Sequence, residues 1–170
     1  KTEAGKTQIT VPAPSVLTFK PGMLLKSPND PTVYLIIDNS TKYAFKSAEE
    51  FFRFGYRFDL VQTIPQEELD SYPISGIGSL RYHATNQYVK YPNFPTVYRM
   101  EDNSKRPFSS AAVFLSYADF SQVITIDPSF QYPDGPLMSF PDGVLVKGSS
   151  PAVYLIENGQ RRPFSSAESF

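Results

Sequence analysis

The chain of 170 residues has no cysteine and one histidine. Without thiols it forms no disulfide, no thiolate metal site and no cysteine nucleophile. A lone histidine also excludes most zinc-type and Ser-His-Asp arrangements. Read alone, His83 is expected to be an ordinary surface residue. Charge of one sign is lacking too. Sixteen Lys and Arg against 17 Asp and Glu leave a formal charge of −1, which points to neither nucleic acid nor an anionic membrane as partner. No apolar run approaches the roughly 20 residues that a membrane-spanning helix needs. No secretory leader pattern is visible at Lys1, so the sequence reads as a mature chain or an excerpt. No loop has the oxygen spacing of an EF-hand, and no two carboxylates are singled out as a glycosidase pair. The sequence therefore indicates no catalytic centre, no cofactor and no metal.

What is present is proline and aromatic side chain: 16 Pro, 14 Phe and 11 Tyr. That mixture favours short elements and many turns. It is also organised. Pro151 to Phe170 reads PAVYLIENGQRRPFSSAESF. Pro95 to Phe114 reads PTVYRMEDNSKRPFSSAAVF, and Pro31 to Phe51 reads PTVYLIIDNSTKYAFKSAEEF. Internal repetition of this kind sets the architecture before any single motif is interpreted.

Each copy carries the same local instructions. Val-Tyr-Leu-Ile at 33–36 and 153–156 is a β-branched and aromatic run suited to a half-buried strand. Asn158-Gly159, Asp102-Asn103 and Asp38-Asn39 follow as turn pairs that tolerate positive φ. A short return strand ends at Phe45, Phe108 or Phe164, and Pro107 and Pro163 place it at a sheet edge. Ser-Ser at 109–110 and 165–166 supplies helix N-caps, and Gly55 a helix stop. A further extended piece follows at Val61–Ile64 and Val123–Ile126, then Leu69…Tyr72-Pro73 and Phe130…Tyr132-Pro133. Thr10-Val11-Pro12 aligns with Thr63-Ile64-Pro65 and Thr125-Ile126-Asp127. Met23–Lys26, Tyr88–Lys90 and Val144–Lys147 align as first strands.

The expected fold is mainly β with short helices (α+β), built as tandem repeats of a β-hairpin plus a short helix. Its divisions are 1–21, the back half of a repeat; 22–85, repeat one with its spacer; 86–142, repeat two with its spacer; and 143–170, the front half of repeat three. The ends thus split one repeat. Either they close three repeats into a small propeller-like ring, or one chain's C-terminal part accepts the next chain's N-terminal part, giving a head-to-tail filament.

The pattern VYLIENGxRRPFSSAxxF, preceded by Gly143-Val-Leu-Val-Lys-Gly148, resembles a repeat of large secreted or cell-surface bacterial proteins. Such repeats often sit beside peptidase, adhesion or wall-associated domains. The resemblance implies an extracellular or cell-surface location and carries over no activity. Copy one departs from it, with Tyr43-Ala44 where the others have Arg-Pro.

Three features invite a binding role. Lys105-Arg106 and Arg161-Arg162 precede helix starts and could hold an anion, but positive charge on an edge strand also discourages edge pairing. Tyr34, Tyr98 and Tyr154 read as core or inter-repeat residues. The less regular cluster of Tyr82, Tyr88, Tyr91 and Phe94 reads as an exposed surface for glycans or protein. Asn39-Ser40-Thr41 matches a glycosylation acceptor, and the turn alone also accounts for Asn39. The candidate surface is therefore Tyr82, Tyr88, Tyr91, Phe94, Arg106, Arg161 and Arg162. The expected function is a non-enzymatic scaffold for assembly or adhesion, whose partners are copies of itself or neighbouring repeats of a longer chain. A lectin-like module and an accessory domain of a larger secreted enzyme are the alternatives.

Overall fold

Strands of three to five residues dominate the computed structural model, which describes residues 18–163. The Thr10-Val11-Pro12 segment, Phe164, Phe170 and the Ser165-Ser166 helix start lie outside the described residues. The first sheet holds β1 (Leu24–Lys26), β2 (Tyr34–Ile36), β3 (Lys42–Ala44) and β4 (Val61–Thr63), in the order β3-β2-β1-β4. The second holds β5 (Tyr88–Lys90), β6 (Tyr98–Glu101), β7 (Ser104–Pro107) and β8 (Val123–Thr125), in the order β7-β6-β5-β8. The third holds β9 (Leu145–Lys147), β10 (Val153–Glu157) and β11 (Gln160–Pro163), in the order β11-β10-β9. Helices α1 (Ala48–Arg53), α2 (Gln66–Asp70) and α3 (Ala111–Leu115) complete an α+β arrangement.

The first two sheets share one pairing scheme. β1 runs antiparallel to β2 and parallel to β4, with Leu24 opposite Val61. β5 runs antiparallel to β6 and parallel to β8, with Tyr88 opposite Val123. A helix provides the crossover that a parallel pair requires. Ser47 caps α1, its Oγ accepting from the Glu50 N–H at 3.1 Å, and Ser110 does the same for α3 from Val113 at 3.2 Å. The residues ahead of β1, β5 and β9 also match. Gly22, Asn86 and Gly143 all have positive φ, and each donates its N–H to the end of the neighbouring strand, at Ile36, Met100 or Ile156, over 2.8 Å.

Two expectations about the hairpins need correction. Asp102-Asn103 and Asn158-Gly159 do adopt positive φ. Asp38-Asn39 does not; instead the Asp38 carboxylate accepts from Ser40 N–H and Thr41 N–H, each at 2.7 Å. The extra residue of copy one converts a tight primed turn into a side-chain-bonded loop. The return strands of the first two sheets are not bare edges either. Pro133 accepts from Lys105 N–H at 2.9 Å, and Gly135 donates to the Lys105 carbonyl at 2.8 Å. Pro73 and Ser75 bind Lys42 in the same way at 3.0 and 2.7 Å. The Tyr-Pro segments therefore cover the edges that proline appeared to leave open.

Three clusters make the core. One fills the space between the first two sheets, with Leu35, Phe51, Phe54 and Tyr56 meeting Val89, Met100 and Ile126. A second packs Leu25, Ile36 and Ile64 against Phe19, Leu69 and Tyr72. The third places Val97, Phe108 and Phe114 under the second sheet, with Met138. Phe45 and Phe108 are both buried, and each donates its N–H to the matching valine, Val33 or Val97, at 3.0 Å.

Candidate assembly interface

The first two sheets are joined by a polar cluster inside an aromatic shell. His83 is only 2% exposed, which corrects the expectation of a surface histidine. Its Nε2 faces the Phe54 carbonyl at 2.8 Å. A carbonyl only accepts, so Nε2 carries the proton and Nδ1 accepts from the Tyr132 hydroxyl at 2.6 Å. The Tyr132 oxygen also accepts from the His83 backbone N–H at 3.1 Å. Burial holds the His83 pKa down to about 4 and pushes Tyr132 up to about 12, so both are neutral near pH 7. Phe54 and Phe130 stand edge-on to the imidazole, 5.2 and 5.0 Å between ring centres.

Gln87 forms a second tie. Its carbonyl oxygen accepts from the Tyr56 hydroxyl at 2.8 Å and from Ala84 N–H at 2.9 Å, while its amide donates to the Gly22 carbonyl at 3.3 Å. Burial raises the Tyr56 hydroxyl far above its usual range, so it acts only as a neutral donor here. Beyond Tyr56, Arg57 reaches the outer edge of the second sheet and donates to the carbonyls of Val123 at 3.0 Å and Ser121 at 2.5 Å. Gly55, at φ +76°, lets the backbone pass the Thr125 carbonyl; a Cβ there would sit 2.3 Å from that oxygen. The segment after α1 thus clamps β8 with main chain, guanidinium and aromatic groups together.

The sequence-selected surface does not form one site. Tyr88 and Tyr91 are half-buried: Tyr88 packs 5.4 Å from Phe114, and the Tyr91 hydroxyl donates to the Phe130 carbonyl at 2.7 Å. Tyr88, on β5, packs against the cluster with Phe108 and Phe114, and Tyr91, just past the end of β5, packs against the cluster between the first two sheets. Tyr82 and Phe94 are exposed, at 50% and 64%. Arg106 is half-buried and paired with Glu101, and Arg162 pairs with Glu157 at 2.7 Å. Arg161 lies 5.4 Å from the Tyr154 ring centre. Lys42 over Tyr34, at 5.2 Å, and Lys105 over Tyr98, at 5.6 Å, repeat that cation–aromatic pair. The paired basics thus stiffen the hairpins rather than forming a shared anion cradle.

Two openings adjoin these residues. Ile37, Leu80, Arg81, Tyr82, Thr85 and Asp102 line a cleft of ≈ 600 Å³. Phe140, Val146, Lys147, Tyr154 and Arg161 line a groove of ≈ 370 Å³ beside the third sheet. Among the described residues, no three His, Asp or Glu side chains converge as a metal site, and no helix is long and apolar enough to cross a membrane. No family model matches this sequence, and no curated protein or solved structure does so.

Proposed function

We propose that this chain is a non-enzymatic scaffold module, working outside the cell, whose units join in series for assembly or adhesion. The observation that carries this reading is the clamp between the first two sheets. It joins the two sheets through the helix end (Phe54 to Arg57), the segment ahead of β5 (His83) and the Tyr-Pro segment (Tyr132). Polar groups that could do chemistry are engaged in holding loops. Asp30, Asp38, Asp119 and Asp127 each accept from a backbone N–H two residues on. Those bonds pull all four carboxyls below their ordinary range. The extracellular setting rests on the resemblance of the 143–170 motif to surface-protein repeats.

Light scattering and negative-stain electron microscopy over a hundredfold range of concentration test the reading. Association that grows with concentration is expected, and a chain that stays monomeric throughout would remove the assembly role. One observation favours a second reading. Tyr82, half-exposed beside Arg81 and Asp102 at the ≈ 600 Å³ cleft, offers an aromatic face with polar neighbours, as a glycan-binding site does. A glycan-array signal lost in Tyr82→Ala would favour that alternative.

A further inference from the structure

The two complete sheets show what belongs beside the third. β1 carries β4 along its second edge, in parallel, with Leu24↔Val61, Leu25↔Gln62 and Lys26↔Thr63. β5 carries β8 with Tyr88↔Val123, Val89↔Ile124 and Lys90↔Thr125. The ladders finish alike: Ile64 N–H donates to the Lys26 carbonyl at 3.0 Å, and Ile126 N–H to the Lys90 carbonyl at 3.0 Å. Among the described residues, no strand lies beside β9 at this edge. Leu145 on β9 is 51% exposed, whereas its counterpart Leu24 is 4% exposed.

We infer that the open edge of β9 is a strand-addition site for residues 8–11 of a second copy of this chain. This rests on the assembly reading above and names its contact. The edge strands that fill the site elsewhere read Val61-Gln-Thr-Ile-Pro65 and Val123-Ile-Thr-Ile-Asp127; residues 8–12 read Gln-Ile-Thr-Val-Pro. The register that follows is Leu145↔Gln8, Val146↔Ile9 and Lys147↔Thr10, with Val11 N–H donating to the Lys147 carbonyl. The side chains fit this placement. Thr63 and Thr125 face solvent, and Thr10 holds their position. Ile64 and Ile126 are buried on the faces of Leu25 and Val89. Val11 takes that place over Val146, where the ≈ 370 Å³ groove opens.

A second copy, rather than the same chain, supplies the strand. Thr18 leads into Phe19, which is fixed in the first sheet's core by its N–H bond to the Tyr72 hydroxyl at 2.9 Å. No core cluster among the described residues joins the first sheet to the third. The segment from residue 11 to 18 spans at most about 25 Å fully extended.

The test uses proline as an edge blocker. In a strand, one residue's N–H and C=O face the same edge, so Lys147→Pro removes the donor toward the incoming strand and leaves the β10 side intact. Val11→Pro removes the donor N–H of the incoming segment, the counterpart of the Ile64 and Ile126 N–H groups that bond Lys26 and Lys90. Sedimentation of the unmodified chain is expected to show mass rising with concentration, and each variant alone to run at the monomer mass. Mixing the two is expected to yield 1:1 dimers that grow no further, because one variant keeps the donor and the other the acceptor. A synthetic peptide of residues 6–12 is expected to shorten the unmodified assemblies, which serves if Lys147→Pro does not fold. Assembly untouched by both prolines and by the peptide would overturn this edge while leaving the assembly reading in place. An unmodified chain that never associates would overturn both. A monomer whose melting temperature falls in Val11→Pro would show the strand to be supplied within one chain, and would overturn the second-copy assignment.

Discussion

At the scale of the residue, His83 is the group whose state depends on the fold. Its pKa falls from 6.5 to about 4 because the imidazole is buried among Phe54, Tyr56 and Phe130, while Tyr132 and Tyr56 stay neutral over that range. Between those values the unfolded chain binds a proton that the folded chain refuses. Stability is therefore complete above about pH 6.5 and declines as pH falls toward 4, by up to about 3 kcal/mol at 1.36 kcal/mol per pKa unit. Phe19 and Phe140 stand at the same distance before Gly22 and Gly143 as His83 does before Asn86. The variant His83→Phe should therefore fit the space and flatten the decline, as measured by urea midpoints at pH 7, 5 and 4. An equal slope in both proteins would acquit the histidine. Gly55→Ala faces two penalties: a φ of +76° and a backbone oxygen 2.3 Å from the new Cβ. A loss of more than about 2 kcal/mol in urea unfolding is expected.

At the scale of the element, α1 and α3 are too short to hold themselves and depend on a serine cap and a buried phenylalanine, Phe51 or Phe114. Ser47→Ala and Ser110→Ala should each cost about 1 kcal/mol, since the same Oγ bond is lost in both. Phe114, 1% exposed and packed edge-on to Phe108 at 5.2 Å, anchors α3. Phe114→Ala should cost about 3–5 kcal/mol in chemical denaturation, several times the cap. A Phe114→Ala cost as small as that of the cap variants would mean that α3 is held by something other than its core contact. These features were legible early. Ser at the cap, Phe four residues on and the primed-turn pairs are local signals whose physics acts within a few residues.

At the scale of the whole molecule, the first two sheets should unfold together, because one aromatic cluster serves both. Arg57→Ala removes two bonds to carbonyls on the outer edge of β8. The guanidinium is partly exposed, so the loss is held to about 1 kcal/mol. Amide exchange should quicken in β8 and the residues around Ser121 and leave β1 and β2 unchanged. Equal protection of β8 in both proteins would show that the clamp does not couple the sheets through Arg57.

The sequence alone determined the local grammar of the first two sheets: strand, turn, capped helix and second strand, which follow from periodicity and turn chemistry over spans of about 20 residues. Only the tertiary structure decided which residues are inside. Tyr88 and Tyr91 seemed exposed because their neighbourhood is irregular; a parallel partner, β8, and the clamp from the first sheet bury them. His83 could not be placed because its burial depends on Phe54, Tyr132 and Phe130, which lie 29 to 49 residues away. The return strands read as edges because proline reports only on its own missing N–H, and not on whether a Tyr-Pro segment some 30 residues later will cover the strand. Local propensity acts through the chain, but burial and edge pairing act through space.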